Sequence, residues 1–76
     1  IPDEIFLVGI RMEAWSGVLL HNHPGGDPCP SVAEIASTVL IRQAGELIGI
    51  ELLDHIIIGN NCYISFREEG LLYTKG

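Results

Sequence analysis

Between Ser31 and Gly49, Val32, Ile35, Ala36, Val39, Leu40, Ala44, Leu47 and Ile48 recur at the i, i+3, i+4 spacing of a helix with one face on a core. Ser31 is a preferred N-cap, and Gly49 suits the residue that stops a helix. Short apolar runs lie on both sides. Val18-Leu19-Leu20 reads as a strand buried on both faces, and Leu52-Leu53-Asp54-His55-Ile56-Ile57-Ile58 as a second strand crowded with β-branched residues. A core-facing helix flanked by such strands limits the chain to an α/β fold.

The remaining segments fill in around this unit. Pro2, Asp3 and Glu4 suit a helix start, and Ile5, Phe6, Val8, Ile10, Met12 and Ala14 fall at helical spacing, so a helix ending at Ser16-Gly17 is predicted. Gly59-Asn60-Asn61 is turn chemistry, and Cys62 to Phe66 alternates as a returning strand, which predicts a hairpin. Arg67 to Gly70 leaves the sheet, and Leu71 to Gly76 reads as a tail. Trp15 and Phe6 are expected in the core.

The chemistry concentrates between the first strand and the helix. His21 and His23 stand two apart at a strand end, so their side chains share a face and can converge on one point. Neutral imidazole is a common metal ligand. Alone, a His-x-His is a weak signal, and two solvated residues at a strand end explain it as well. The rigid loop Pro24-Gly25-Gly26-Asp27-Pro28-Cys29-Pro30 follows. Ser31 and Glu34 then form Ser-x-x-Glu, a capping box, which on spacing alone is the stronger reading of both residues. The alternative makes Glu34 a third ligand and Ser31 a hydrogen-bond donor to a metal-activated water or an oxyanion. Cys29 could also ligate, but reads more simply as a small loop residue. Asp54 and His55 are adjacent on a strand and point to opposite faces. Asp54 is the candidate acceptor behind a ligand histidine.

Composition bounds the function. With 76 residues the chain is at most one domain, and 47% hydrophobic content is globular. So much apolar content in a short chain that begins at Ile1 suggests a partial domain, packing against further strands or a second copy. A net charge of -6 argues against a surface that neutralises phosphates, hence against nucleic acid as a partner. No apolar run reaches the roughly 20 residues that span a bilayer. Two cysteines make no disulfide framework, and reduced thiols point to the cytoplasm.

The run from His21-Asn22-His23-Pro24 to Ser31, followed by Leu52-Leu53-Asp54-His55-Ile56-Ile57-Ile58-Gly59, resembles the RadC-type proteins of the JAB/MPN (JAMM) superfamily. Ser65-Phe66-Arg67-Glu68-Glu69-Gly70 is similar to that family's ending, and Pro2 to Phe6 to the start of the helix before its histidine strand. The resemblance covers nearly the whole chain as one partial domain, residues 1–76. It implies a cytidine-deaminase-like α/β sandwich whose N-terminal strands this chain lacks. It also implies one zinc ion held by His21, His23 and the residue at Glu34, with Ser31 in support. The implied reaction is hydrolysis of peptide or isopeptide bonds, and the family's historical name suggests DNA repair. Two departures stand out. The family has Asp where this chain has Glu34, one methylene longer. The family's upstream general-base Glu has no counterpart here, because Glu4 and Glu13 lie too close to the histidines.

Overall fold

The structure is a computed structural model that describes the backbone of residues 5–10 and all of residues 15–73. Four strands and one helix follow one another as β1 (Ile5–Ile10), β2 (Trp15–Asn22), α1 (Val32–Leu47), β3 (Ile50–Ile58) and β4 (Tyr63–Ser65). The sheet order is β1-β2-β3-β4. β2 and β3 run parallel, joined by α1, and the outer strands pair antiparallel with them. This is a small mixed α/β fold, as the strand–helix–strand pattern required.

The α1 boundaries follow from capping. Ser31 is the N-cap and its hydroxyl accepts from the Glu34 N–H at 3.0 Å, while Glu34 reaches back to the Ser31 N–H at 2.8 Å. At the other end Ile48 caps the helix and Gly49 takes φ +80°, a left-handed backbone that favours glycine. The Gly59 turn gives the expected hairpin between β3 and β4.

The first segment differs from expectation. Ile5 to Ile10 is a strand, not a helix, and pairs antiparallel with β2. The run Ile-Phe-Leu-Val-Gly-Ile is continuous and β-rich, and Gly9 weakens a helix by roughly 1 kcal/mol. Pairing along the open edge of β2 then outweighs helical periodicity. The expected helix start at Pro2 to Glu4 lies outside the described residues, as do Met12 and Glu13. Ser16-Gly17, expected to end that helix, lies within β2.

The core is Leu19, Leu52, Ile57, Phe66 and Leu72, with Ile35 and Leu71 packed against it. Leu72 therefore belongs to the core and is no tail: the Leu71 N–H bonds the Phe66 carbonyl, and Arg42 Nε donates to the Leu72 carbonyl at 2.7 Å. Trp15 is exposed, contrary to expectation, because it sits at the start of β2. The helix stripe is only partly used. Val39 is buried, but Val32, Leu40, Leu47 and Ile48 are exposed. One sheet layer cannot cover a stripe that wide.

A bulge sets which β3 residues face α1. Gly17 pairs with Leu52 and Val18 with Asp54, so Leu53 is skipped. Beyond it the phase changes, and Leu52, His55 and Ile57 are all buried.

Candidate metal centre

Three side chains meet where β2 ends and α1 begins. The β pleat sends His21 and His23 to one side of β2, and their ring centroids lie 4.8 Å apart, nearly perpendicular. His21 is buried and stands opposite Ile57 in the register. His23 is just beyond the strand, held by its own N–H to the Ile58 carbonyl at 3.0 Å. Glu34 approaches from the first turn of α1. Its Oε2 lies 2.8 Å from His23 Nε2 and 3.1 Å from His21 Nδ1.

The sequence left open whether Glu34 caps or ligates. The two carboxylate oxygens divide those tasks. Oε1 accepts the Ser31 N–H and closes the capping box, while Oε2 faces the histidines. The longer side chain makes this division reachable. Partial burial pushes the Glu34 carboxyl up. Hydrogen bonds from the Ser31 N–H, His23 and the Ser31 hydroxyl outweigh that and hold it below the usual carboxylate range.

Proton bookkeeping orients His23. Its Nδ1 lies 2.8 Å from the Asp27 carbonyl, which can only accept, so Nδ1 carries the hydrogen. In neutral imidazole the Nε2 lone pair then points at Glu34 Oε2. Two acceptors at 2.8 Å need a cation between or beside them, either a proton or a metal ion. Metal-ligating histidines are commonly fixed in this way, through the far N–H on a backbone carbonyl.

One donor atom each from His21, His23 and Glu34 fall within 4.8 Å of one another. Among the described residues this is the only such group of His, Cys, Asp and Glu. The donors suit zinc, with bonds of about 2.0–2.2 Å and tetrahedral donor separations of roughly 3.3 Å. Glu34 Oε2 stands 2.8 and 3.1 Å from the two histidine nitrogens, near that spacing, and the widest separation in the group, 4.8 Å, would close as the imidazole rings turn toward the ion. The residues fit the ion.

The other sequence candidates fall out differently. Cys29 is exposed, its N–H bonded to Asp27 Oδ1, and it is not among the clustered donors. Neither cysteine is in a disulfide. Asp54 does not stand behind a ligand histidine. Oδ1 accepts the His55 and Arg67 N–H groups, and Oδ2 accepts the Ser65 hydroxyl at 2.5 Å, which ties the end of β4 to β3. Instead His55, left aside by sequence reasoning, shares the face of the site. Its ring stacks on His21 at 5.7 Å and 18°, and on Phe66 at 4.5 Å. Desolvation, reinforced by nearby His21, lowers its pKa to about 4, so it is neutral at pH 7. The Leu53 bulge decides this choice, and strand alternation alone does not reveal a bulge. Thr38, one helical turn beyond Glu34, was also missed. It is buried and bonded to His55.

The loop between His23 and Ser31 is fitted to the β3–β4 turn. The Asn60 N–H bonds the Gly26 carbonyl at 2.8 Å. A Cβ on Gly59 would lie 2.4 Å from that carbonyl oxygen and 2.8 Å from Pro28 Cδ, so only glycine allows this approach.

A parallel strand pair bridged by a helix, with a His-x-His strand end facing the helix's first acid, defines a class of α/β domain with a side-chain group that could hold a metal ion. The family model for the RadC-like JAB domain matches residues 1–71, and the chain belongs to that family. It is 49% identical over 73 residues to a UPF0758 protein of Shouchella clausii, covering 96% of this chain and 32% of that protein. It is 52% identical over 71 residues to a UPF0758 protein of Desulforamulus reducens, covering 93% and 31%. A Clostridium kluyveri relative is 48% identical over the same length. The chain thus spans about a third of the curated relatives it matches. No helix among the described residues is long and apolar enough to cross a membrane.

Proposed function

We propose that this chain is the metal-binding part of a zinc-dependent hydrolase acting on peptide or isopeptide bonds, in a cytoplasmic protein with the JAB-type sandwich. The reading is carried by one observation. The Asp27 carbonyl accepts a hydrogen bond from Nδ1–H of His23, leaving Nε2 aimed at Glu34 Oε2 with His21 alongside.

His21, His23 and Glu34 would hold the ion. When bound, zinc polarises a carbonyl and lowers the pKa of water to about 7. The chain's own residues do the rest. Ser31 accepts the Glu34 N–H through its oxygen and supports the Glu34 carboxylate through its hydroxyl, which would turn to an oxyanion during the reaction. Ser31 also fixes Glu34 through the capping box, so one residue orients a ligand and supports the reacting carbonyl. Proton transfer from water needs a second carboxylate. Among the described residues the cluster contains only one carboxylate, that of Glu34.

A second reading has one observation in its favour. With a proton rather than a metal on His23 Nε2, Glu34 satisfies both its oxygens within the protein, as a non-catalytic interaction module would need. Nucleic-acid binding in DNA repair is the third, and a net charge of -6 opposes it. Metal analysis of protein purified without added zinc, beside a His21→Ala/His23→Ala control, separates the first two. The proposal expects close to one zinc per wild-type chain and a near-zero value in the control. Equal, negligible zinc in both defeats it.

A further inference from the structure

We propose that Thr38 and His55 are positioning residues that hold two of the candidate ligands, Glu34 and His21, in register across the gap between helix and sheet. The inference rests on the metal reading above.

Thr38 has a single hydroxyl proton to place. Thr38 Oγ1 lies 2.7 Å from the Glu34 carbonyl, which can only accept, so the Thr38 proton goes there. The same oxygen lies 2.8 Å from His55 Nδ1. With its proton committed, Thr38 must accept, so His55 carries its hydrogen on Nδ1. Nε2 is then a bare lone pair, buried and without a hydrogen-bond partner among the described residues. An unsatisfied acceptor in the interior is destabilising. A stabilising role elsewhere has to offset that cost, and stacking on two neighbouring rings supplies it.

The His55 ring stacks on both Phe66 and His21. His21 therefore packs against a neutral, fixed plane that leaves its ring little rotational freedom. At the other end the Thr38 bond holds the carbonyl of Glu34, in the first turn of α1. The chain runs from Glu34 through Thr38 and His55 to His21 and joins three elements: α1, β3 and β2. A site assembled from separate elements needs such a link, because an error of about 1 Å in donor position spoils coordination. His55 touches no substrate, and its effect is exerted through the ligands.

The test titrates Co²⁺ into the 76-residue chain and reads both affinity and the visible absorption of the bound ion. Thr38→Val and His55→Phe, the latter keeping an aromatic plane but losing the Nδ1 hydrogen, should each weaken binding about 10–100-fold and alter the spectrum. Thr38→Ser keeps the hydroxyl and should restore affinity to within roughly threefold. Because one hydrogen bond joins the pair, the double variant should lose about as much as either single. Wild-type affinity and an unchanged spectrum in folded Thr38→Val and His55→Phe would overturn the inference while leaving the metal site standing. No Co²⁺ binding by the wild type would remove the metal reading and this inference together. If the variants do not fold, nitrogen NMR of the wild-type histidines decides. A hydrogen on His55 Nδ1 supports the proposal, and one on Nε2 overturns it.

Discussion

Replacing Glu34 with Gln separates the two tasks of that side chain. Gln is as good as Glu at the third position of a capping box, since its amide oxygen can accept the Ser31 N–H now bonded to Oε1 at 2.8 Å. The amide NH₂ then stands where Oε2 stands, against His23 Nε2 and His21 Nδ1. It is a donor and cannot ligate. Metal-free stability should change by no more than about 1 kcal/mol, because the box survives and the lost contact is partly exposed and screened. Zinc affinity should fall at least about 100-fold, about 2.7 kcal/mol, with one of three protein ligands gone. Glu34→Ala removes both tasks and should cost a further ~1 kcal/mol of stability. Urea unfolding of the metal-free chains and zinc titration against a competing chelator measure the two quantities separately. If Glu34→Gln binds zinc as tightly as wild type, the carboxylate is a cap only and the site argument fails.

Other consequences can be checked alongside. His55 is folded with a pKa of about 4 against an ordinary 6.5, so the unfolded chain binds the extra proton between those values. Its contribution is complete above pH 6.5 and lost as pH falls toward 4, on the order of 3 kcal/mol in all. Metal-free unfolding free energies should slope accordingly, and the slope should flatten in His55→Phe; equal slopes would count against a buried neutral imidazole. Ser31→Ala removes the bond from the Glu34 N–H and should cost about 1 kcal/mol, yet change zinc affinity less than roughly threefold, because the Ser31 backbone still holds Oε1. Gly59→Ala drives a Cβ into the Gly26 carbonyl and should cost about 1–3 kcal/mol. Amide shifts at His23 to Asp27 should move with it, and an unmoved loop would mean the two turns are not in contact.

The parts legible in the sequence were those decided locally. Helix α1 could be read from its stripe and its capping box, and the hairpin from Gly59-Asn60-Asn61, because backbone chemistry within a few residues fixes both. The convergence of His21 and His23 followed from the two-residue period of a strand. What tertiary pairing decides was not legible. Ile5 to Ile10 carries helical and strand signals together, and the edge of β2 settles it. The exposure of Val32, Leu40, Leu47 and Ile48 depends on how much sheet lies beneath the helix. The choice of His55 over Asp54 turns on the skipped residue Leu53, a single insertion that reverses which neighbour faces the site. The sequence posed capping and ligation as rivals for Glu34, whereas its two oxygens take one task each.

The most direct test is a crystal of this chain soaked in zinc and recorded at the zinc absorption edge. The account predicts one anomalous peak within about 2.0–2.2 Å of a nitrogen of His21, Nε2 of His23 and Oε2 of Glu34, with Oε1 still on the Ser31 N–H. A peak elsewhere, or none with Glu34 Oε2 still 2.8 Å from His23 Nε2, would contradict it.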